Sequence, residues 1–230
     1  ESTLGYNVGV VSEYRYRGMG QTKGDPALQG GVDYAHSSGF YLGAWGSTIK
    51  WIKEYAAAAS TPYSAKGPVE IDLYGGYKFE AAGLAYDVGY LRYQYQGNTL
   101  EKATFFSNPN TDEIYGALTA GPVTAKYSYA TSNLFGTLNS KGSTYLDLSA
   151  TFDLGNGFSL VPHAGRQTVK NNPTSYTDIA LTLNKDLGDG LTASVAAIST
   201  TADPTLFKGL STSGYDTGKN AVVVGVKYAF

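Results

Sequence analysis

The charged side chains that stand closest together in a regular pattern are those of Glu13, Arg15 and Arg17. Residues two apart on a strand share a face, so the pattern predicts two adjacent guanidinium groups beside a carboxylate. Such a pair binds a carboxylate or phosphate bidentately, or it braces acidic groups on nearby strands. The first alternative is a constriction that binds anions. The second, which we favour because acids are plentiful, is a structural clamp to residues such as Asp33.

The same two-residue period places other ionisable side chains on the polar faces of successive segments. These candidate channel-lining residues are Glu13, Arg15, Arg17, Asp33, Glu70, Asp72, Lys78, Asp87, Lys126, Asp147, Asp153, His163, Asp178 and Lys227. Acids outnumber bases among them, which weakly favours cations or neutral polar solutes. Burying so many charges without water is costly unless they are paired. The set therefore predicts either a wet pore or a network of salt bridges that closes it.

Patterns for catalysis are weaker. A lipolytic barrel needs a serine and a histidine on its lipid-facing surface, with a third group that orients the base. His36 lies in a predicted turn beside two serines, and His163 shares a polar face with Ser159 and Gln167. Neither histidine lies in a hydrolase motif, so we expect no enzymatic activity.

Metal and cofactor sites are not expected either. The chain has no cysteine, which removes disulfides and thiolate ligands together. A calcium loop needs several acids at close spacing, which the segment 111–113 alone does not supply. We expect no metal and no cofactor.

The final eleven residues define most clearly the kind of element that positions the charges. From Asn220 to Phe230, large apolar residues alternate with small or charged ones, and the segment stops on an aromatic residue. The outward set is Val222, Val224, Val226, Tyr228 and Phe230. Bacterial outer-membrane barrels usually close on such a strand.

Composition agrees with a barrel. No apolar run approaches the roughly 20 residues of a membrane-spanning helix, whereas 20 tyrosines and 29 glycines suit aromatic girdles and tight turns. The net charge of -2 gives no support for nucleic-acid binding. We expect one domain over residues 1–230, and we interpret the start at Glu1 as the mature form after removal of a signal peptide.

The connections alternate in length. Short glycine-rich turns fall near residues 37, 81, 121, 156 and 189, and long polar loops near 20, 60, 105, 136, 172 and 210. Outer-membrane barrels have this asymmetry, with short turns on the periplasmic side and long loops outside. The sequence thus predicts an all-β, antiparallel, up-and-down transmembrane barrel of about twelve strands, with both termini periplasmic. A soluble β-sandwich is the alternative.

Several local expectations follow from the same pattern. The first strand is predicted from Leu4 to Arg17, with Tyr14 and Tyr16 facing outward, and the segment 51–68 is predicted as a long loop. The segment 40–49 carries aromatic residues on both faces, so its orientation stays open. Beyond Leu91 the apolar set shifts to Tyr93 and Tyr95, which indicates a bulge or emergence from the bilayer.

Two loops carry apolar pairs in otherwise polar surroundings. These pairs are Phe105-Phe106 and Leu134-Phe135. Three arrangements are open for them: they fold into the barrel mouth, they contact a partner, or they pack among the loops and against lipopolysaccharide.

The chain also resembles a known family. SEYRYRGMGQT (12–22), PALQGGVDYAHSSGFYLGAWGS (26–47) and EIDLYGGY (70–77) are similar to segments of the TorF-like porins of proteobacteria, and HAGRQT (163–168) and SYTDIALTLNKDLG (175–188) fit the same pattern. The resemblance covers most of the chain. It implies an outer-membrane barrel and a porin-like role, and it offers no catalytic or ligand motif.

We therefore expect a porin-like channel in the bacterial outer membrane, through which small polar solutes or ions diffuse passively along a narrow charged lumen. The expected partners are membrane lipid, lipopolysaccharide and those solutes, and the oligomeric state is left open. Two alternatives remain: a non-conducting structural or adhesive barrel that acts through its loops, and, less favoured, a lipolytic enzyme.

Overall fold

The computed structural model describes residues 1–58, 66–211 and 213–230. Strands of these ranges form a closed wall, and two short strands lie inside it. The strands are β1 (Ser2–Val11), β2 (Arg15–Tyr16), β3 (Met19–Gly20), β4 (Ala27–His36), β5 (Phe40–Thr48), β6 (Val69–Ala81), β7 (Leu84–Gln94), β8 (Thr111–Ala120), β9 (Val123–Ala130), β10 (Thr144–Ala150), β11 (Phe152–Gly155), β12 (Phe158–Thr168), β13 (Tyr176–Gly188), β14 (Leu191–Thr200) and β15 (Ala221–Ala229).

Every wall strand pairs antiparallel with its neighbours in sequence, and β1 pairs with both β4 and β15. Val8, for example, lies opposite Gly30 on one side and Tyr228 on the other. Strands β10 and β11 both pair with β12 and form one wall strand that is interrupted at Thr151. The wall therefore has twelve strands, and the predicted up-and-down barrel is confirmed.

Large apolar side chains cover the outer face of the wall. On β15 they are Val222, Val224, Val226 and Tyr228, each at least 44% exposed in the isolated chain. Around the end that holds both termini, aromatic rings stack, as Tyr228 does on Phe230 at 5.2 Å between ring centroids. An exposed apolar band with aromatic rings at its edge is the surface that a bilayer covers.

The two ends of the barrel differ. The end with both termini carries the short turns and is called the turn end here. The opposite loop end carries the long connections, which include α1 (Trp51–Ala58), a 3-10 turn (Leu100–Lys102) and α2 (Pro204–Gly209). The predicted loop over 51–68 was therefore wrong at its start, where an alanine-rich segment favours a helix; its residues 59–65 lie outside the described ranges. No helix of the described ranges is long and apolar enough to cross a membrane.

The first strand is shorter than predicted, since it ends at Val11 rather than Arg17. The chain then leaves the wall and forms the hairpin of β2 and β3 inside the barrel, where Arg15 lies opposite Gly20. Tyr14 is only 5% exposed and faces the interior, not lipid. The alternating pattern continued past the true end of the strand because the hairpin is itself extended, so the pattern alone could not locate the end of the wall.

An aromatic cluster fills the barrel interior near the loop end. Its fully buried members include Ile52, Tyr93 and Leu100, each 0% exposed. Tyr93 keeps a regular register, opposite Asp72 and Thr111. The alternative of a bulge at this point was therefore wrong, and the apolar set shifts because Tyr93 and Tyr95 face the packed interior. The alternative that the strand emerges from the bilayer here stays a prediction.

The open question about the segment 40–49 is also resolved. Phe40 and Leu42 face outward and are about half exposed, at 44% and 50%. Tyr41 and Trp45 face inward: Tyr41 donates a hydrogen bond to Asp87, and Trp45 packs edge-on against Tyr14.

Candidate functional site

The inward hairpin carries Arg17 across the lumen to the far wall. Its guanidinium donates two roughly parallel hydrogen bonds to Glu113 on β8, at 2.8 Å and 3.0 Å, and one of 3.0 Å to Gln167 on β12. The side chains of Arg17 and Glu113 are 6% and 1% exposed. This bidentate pair is a charge-assisted contact, the stronger class of hydrogen bond.

Tyrosine side chains complete this layer. The hydroxyls of Tyr16 and Tyr93 are hydrogen-bonded to each other, and Tyr93 also donates to Glu113 at 2.8 Å. The Arg17 guanidinium lies over the Tyr145 ring, 4.3 Å from its centroid. Tyr176 donates a hydrogen bond to the Arg17 carbonyl. We call Tyr16, Arg17, Tyr93, Glu113 and Gln167 the constriction layer.

Arg15 anchors the base of the hairpin. It donates to Glu13 at 2.8 Å and to three backbone carbonyls, two of which belong to Thr217 and Lys219 in the last loop. Tyr215 in the same loop also donates to Glu13, and burial together with that carboxylate raises the pKa of Tyr215 to about 12. The first loop (12–26) and the last loop (201–220) are therefore joined by hydrogen bonds inside the barrel mouth.

The prediction that these arginines pair with Asp33 was wrong. Asp33 accepts a hydrogen bond from Tyr74, whereas Arg15 binds Glu13 and Arg17 binds Glu113. The reason is that Glu13, Arg15 and Arg17 lie beyond the wall strand, in a loop that reaches across the lumen. Arg15 consequently finds an acidic partner within the loop itself, and the acidic partner of Arg17 lies 96 residues along the chain.

Two further predicted residues, Glu70 and Asp72, face the interior from β6 at the level of the aromatic cluster. They are 1% and 8% exposed. Tyr14 of the first loop donates a hydrogen bond to Glu70 at 3.1 Å. These acids therefore belong to the filled part of the barrel and not to an open water path.

A second group of predicted residues meets on the turn-end side of the constriction layer. His163 contacts Asp147 through Nδ1 at 3.0 Å and Asp178 through Nε2 at 3.0 Å. Tyr145 also donates to Asp178, at 2.6 Å. Asp178 is 1% exposed, whereas the His163 and Asp147 side chains are 21% and 34% exposed. This group is a polar ladder along one side of the lumen.

The remaining lumen candidates lie nearer the turn end. Lys78 and Lys126 stand over the rings of Tyr41 and Tyr115, at 5.1 Å and 4.1 Å from the ring centroids. Asp87 accepts from Tyr41 at 2.6 Å.

The last two predicted residues are both exposed at the turn end. Lys227 lies opposite Gly9 of β1 on the inward side of the wall. Asp153 lies between the outward residues Phe152 and Leu154, where β11 enters a tight turn, and it accepts a hydrogen bond from the Gly155 amide.

Cavities lie on both sides of the constriction layer. The upper cavity, of about 350 Å³, opens among the long loops, and the lower cavity, of about 270 Å³, borders the His163 ladder. Tyr16 and Arg17 line both cavities. A third cavity of about 440 Å³ lies beside Glu13, Arg15 and Tyr16. The lumen is thus divided by the first loop into an upper and a lower part.

Three of the four residues in the apolar loop pairs fold into the barrel mouth, the first of the three arrangements left open. Phe106 and Phe135 line the upper cavity, and the Phe135 ring meets Tyr93 edge-on at 5.0 Å. Leu134 is 3% exposed, whereas Phe105 remains 75% exposed at the cavity edge.

The most important residue absent from the predicted set is Glu113, the partner of Arg17. Its signal was present in the sequence, because Glu113 alternates with the outward residues Ile114 and Leu118 of β8 and so shares the face of Tyr115. Its distance from Arg17 in sequence, 96 residues, hid the pairing. His36 is an exposed turn residue whose ring is hydrogen-bonded to Ser38. Among the described residues, no group of three or more histidine, aspartate or glutamate side chains is arranged to hold a metal ion.

Comparison with solved structures shows that the wall has the fold of a porin. The KdgM porin in complex with disordered oligogalacturonate superposes with a TM-score of 0.60 at 9% identity, covering 100% of this chain and 99% of that chain. A second KdgM porin structure gives 0.58 at 8% identity, with the same coverage. At these identities the likeness shows the fold, a twelve-stranded porin-type barrel.

No curated protein matches the sequence. A family profile does match, over residues 1–230 and hence over the whole chain; its description is "Bacterial protein of unknown function (Gcw_chp)". The resemblance to TorF-like porins is not tested by this match and stays a prediction. The chain belongs to the bacterial Gcw_chp family.

Proposed function

We propose that this protein is a narrow, passive channel of the bacterial outer membrane in which the first loop forms the constriction. The loop end then faces the outside of the cell, and the outer apolar band contacts lipid and lipopolysaccharide. The porin-type fold and the exposed apolar wall support this placement.

The observation that carries the proposal is that the upper and lower cavities share Tyr16 and Arg17. A single layer of side chains therefore separates them. Displacing the Arg17 side chain from Glu113 would join the two cavities, while the wall hydrogen bonds stay in place. Because the barrier is one layer of side chains, a movement of the first loop alone would open the channel.

The solutes that suit this lumen are small, polar and either uncharged or cationic. The lower cavity is bordered by Asp147 and Asp178 together with Lys126 and His163, and Asp87 lies nearer the turn end. Arg15 and Arg17 are neutralised by Glu13 and Glu113. Over the rest of the lumen the candidate acids outnumber the candidate bases by five to four, and this small excess favours cations over anions. The acids are Asp33, Asp87, Asp147, Asp153 and Asp178, and the bases are Lys78, Lys126, His163 and Lys227.

A non-conducting barrel that acts through its loops is the second candidate. It is favoured by the same closure, because Arg15 holds three backbone carbonyls and Glu13 while Arg17 holds Glu113 and Gln167. In this case the buried pairs serve stability alone, and removing them would not create a steady conductance.

Single-channel recording in planar bilayers separates the two. We expect small discrete steps from the natural protein, with a reversal potential that indicates cation preference under a salt gradient. Arg17→Ala should enlarge the steps, while Lys50→Ala, which removes an exposed pair with Asp25 at the barrel rim, should leave them unchanged. Silence from both the natural protein and Arg17→Ala would reject the channel and favour the scaffold.

A further inference from the structure

We propose that the upper cavity is a binding site for an uncharged aromatic solute of one or two rings, open to the loop end. This site lies above the constriction layer. The inference goes beyond the proposed function and does not depend on conduction, because binding at the mouth of the barrel is measurable whether or not the lumen opens.

The walls of the cavity are unusually rich in aromatic rings. Those of Trp51, Tyr55, Tyr95, Phe106 and Phe135 all face it. Trp51 packs edge-on against both Tyr55 and Tyr95, each at 5.3 Å between centroids. These contacts hold the three rings in place along the wall of the cavity. Edge-on and offset contacts of this kind are the arrangements that an added ring prefers.

The floor of the cavity is polar but electrically balanced. Arg17 is the one charged residue among the described residues that line the cavity, and its guanidinium is already bound by Glu113 and Gln167. Gln21, another lining residue, donates its amide to the Met19 carbonyl. An anion would therefore have to compete with a buried carboxylate for Arg17, whereas an uncharged ring meets no such cost.

The size of the cavity limits the solute. Its volume is about 350 Å³. An engineered protein cavity of about 150 Å³ binds benzene, so the space accommodates one or two fused rings. Ligand sites in proteins commonly begin at about 300 Å³ and are mostly apolar with a few polar groups.

Backbone conformation adds an independent observation. Phe105 and Phe135, which line the cavity from two different loops, have φ values of 74° and 45°. The left-handed region is unfavourable for a bulky side chain, and residues held there cluster at ligand-binding positions. At Phe135 this conformation accompanies edge-on contacts of the ring with Tyr16 and Tyr93 at the cavity.

The test uses 2-naphthol as the probe, titrated into the protein in detergent. Trp51 lines the cavity and Trp45 does not, and the chain has two tryptophans. In the Trp45→Phe variant the fluorescence therefore reports on Trp51. We expect saturable quenching by 2-naphthol. Loss of one wall ring in Phe106→Ala should weaken binding about fivefold, since an aromatic pair contributes about 1 kcal/mol beyond its buried area.

Matched controls separate binding from partition into detergent. Phe79→Ala removes a ring from the outer, lipid-facing surface and should leave the titration unchanged. Leu138→Glu places a charge at the cavity edge, at a side chain that is 46% exposed, and should weaken binding without disturbing the barrel. This second variant keeps the test valid if Phe106→Ala disturbs the fold.

Three results would overturn the inference. One is unsaturable quenching, or quenching that Phe106→Ala and Leu138→Glu both leave unchanged. Another is tighter binding of 2-naphthoate than of 2-naphthol, which would make Arg17 an anion receptor. The third is preferential binding of maltose, which would make the rings a carbohydrate platform.

Discussion

Arg17 and Glu113 lie 96 residues apart in sequence, yet they form a bidentate ion pair in the centre of the barrel, with nitrogen to oxygen distances of 2.8 Å and 3.0 Å. The pair joins the first loop to strand β8 across the lumen. Both side chains are at least nine-tenths buried. In such a place an ion pair is costly to form and more costly to break on one side.

Breaking this pair on one side should therefore be strongly destabilising. We expect Arg17→Ala to lower the free energy of unfolding by about 3–5 kcal/mol, because Glu113 is left buried without a cation. The double variant Arg17→Met/Glu113→Leu should recover most of the loss. Urea unfolding in detergent, followed by tryptophan fluorescence, measures both.

The exposed pair of Lys50 and Asp25 is the control for that experiment, since both side chains are about half exposed. Lys50→Ala should cost about 0–1 kcal/mol. Equal losses for Lys50→Ala and Arg17→Ala would mean that the buried pair has no special role.

Glycines in the short turns should differ in their tolerance of alanine. At Gly39, φ is +104° and an added Cβ would lie 2.1 Å from the Lys78 carbonyl oxygen. At Gly83, φ is +76°, but apart from its chain neighbours no atom of the described residues lies within 4 Å of the added Cβ. Gly83→Ala should cost about 1–2 kcal/mol from the backbone alone, and Gly39→Ala distinctly more. The fraction folded in detergent, read from heat-modifiable migration on gels, ranks the two; the reverse order would contradict the turn geometry.

The two faces of the wall predict opposite responses to charge. Leu181 and Thr182 are adjacent at the middle of β13; Leu181 faces outward and is 49% exposed. Leu181→Arg should cost about 2–4 kcal/mol in a bilayer, whereas Thr182→Arg, which faces the lumen, should cost less. Folding titrations in lipid vesicles measure the difference. A larger loss at Thr182 would reverse the assigned faces.

Low pH should loosen the contact between α1 and the last loop. Glu54 accepts hydrogen bonds from Ser211 and Ser213 and pairs with Lys23. Partial burial acts to raise the pKa of Glu54, but these hydrogen bonds outweigh it and hold the pKa below its ordinary value of 4.5. A depressed carboxylate pKa contributes stability that is present above the ordinary value and is lost as the pH falls through the lower one.

Protease cleavage of the last loop is the readout for this contact. Cleavage should be slow and constant between pH 7 and pH 5 and should accelerate below pH 4.5. Glu54→Gln should be cleaved faster at neutral pH and should lose the pH dependence. An unchanged pH profile in Glu54→Gln would assign the effect to other groups.

The wall of this protein is determined by local sequence. Alternation in segments such as β6 and β15 assigns each side chain to the lipid or the lumen. Successive side chains of a strand point to opposite faces of the sheet, and in a barrel one face contacts lipid while the other faces the lumen. Turn glycines and loop lengths then fix the strand number and the end at which the termini meet. Even Lys126 and Asp178 could be placed on the lumen face from these signals.

The constriction was decided by tertiary structure. Glu13, Arg15 and Arg17 continue the alternating pattern of β1, but they belong to a hairpin that folds inward and meets Glu113, Gln167 and Thr217. Alternation indicates which side of a strand faces water. It carries no information about where the strand ends or about which distant carboxylate forms an ion pair with a given arginine. The end of the strand and the ion-pair partners depend on the closed wall. The wall brings β8, β12 and the last loop around one space, in which they contact the charged side chains of the first loop.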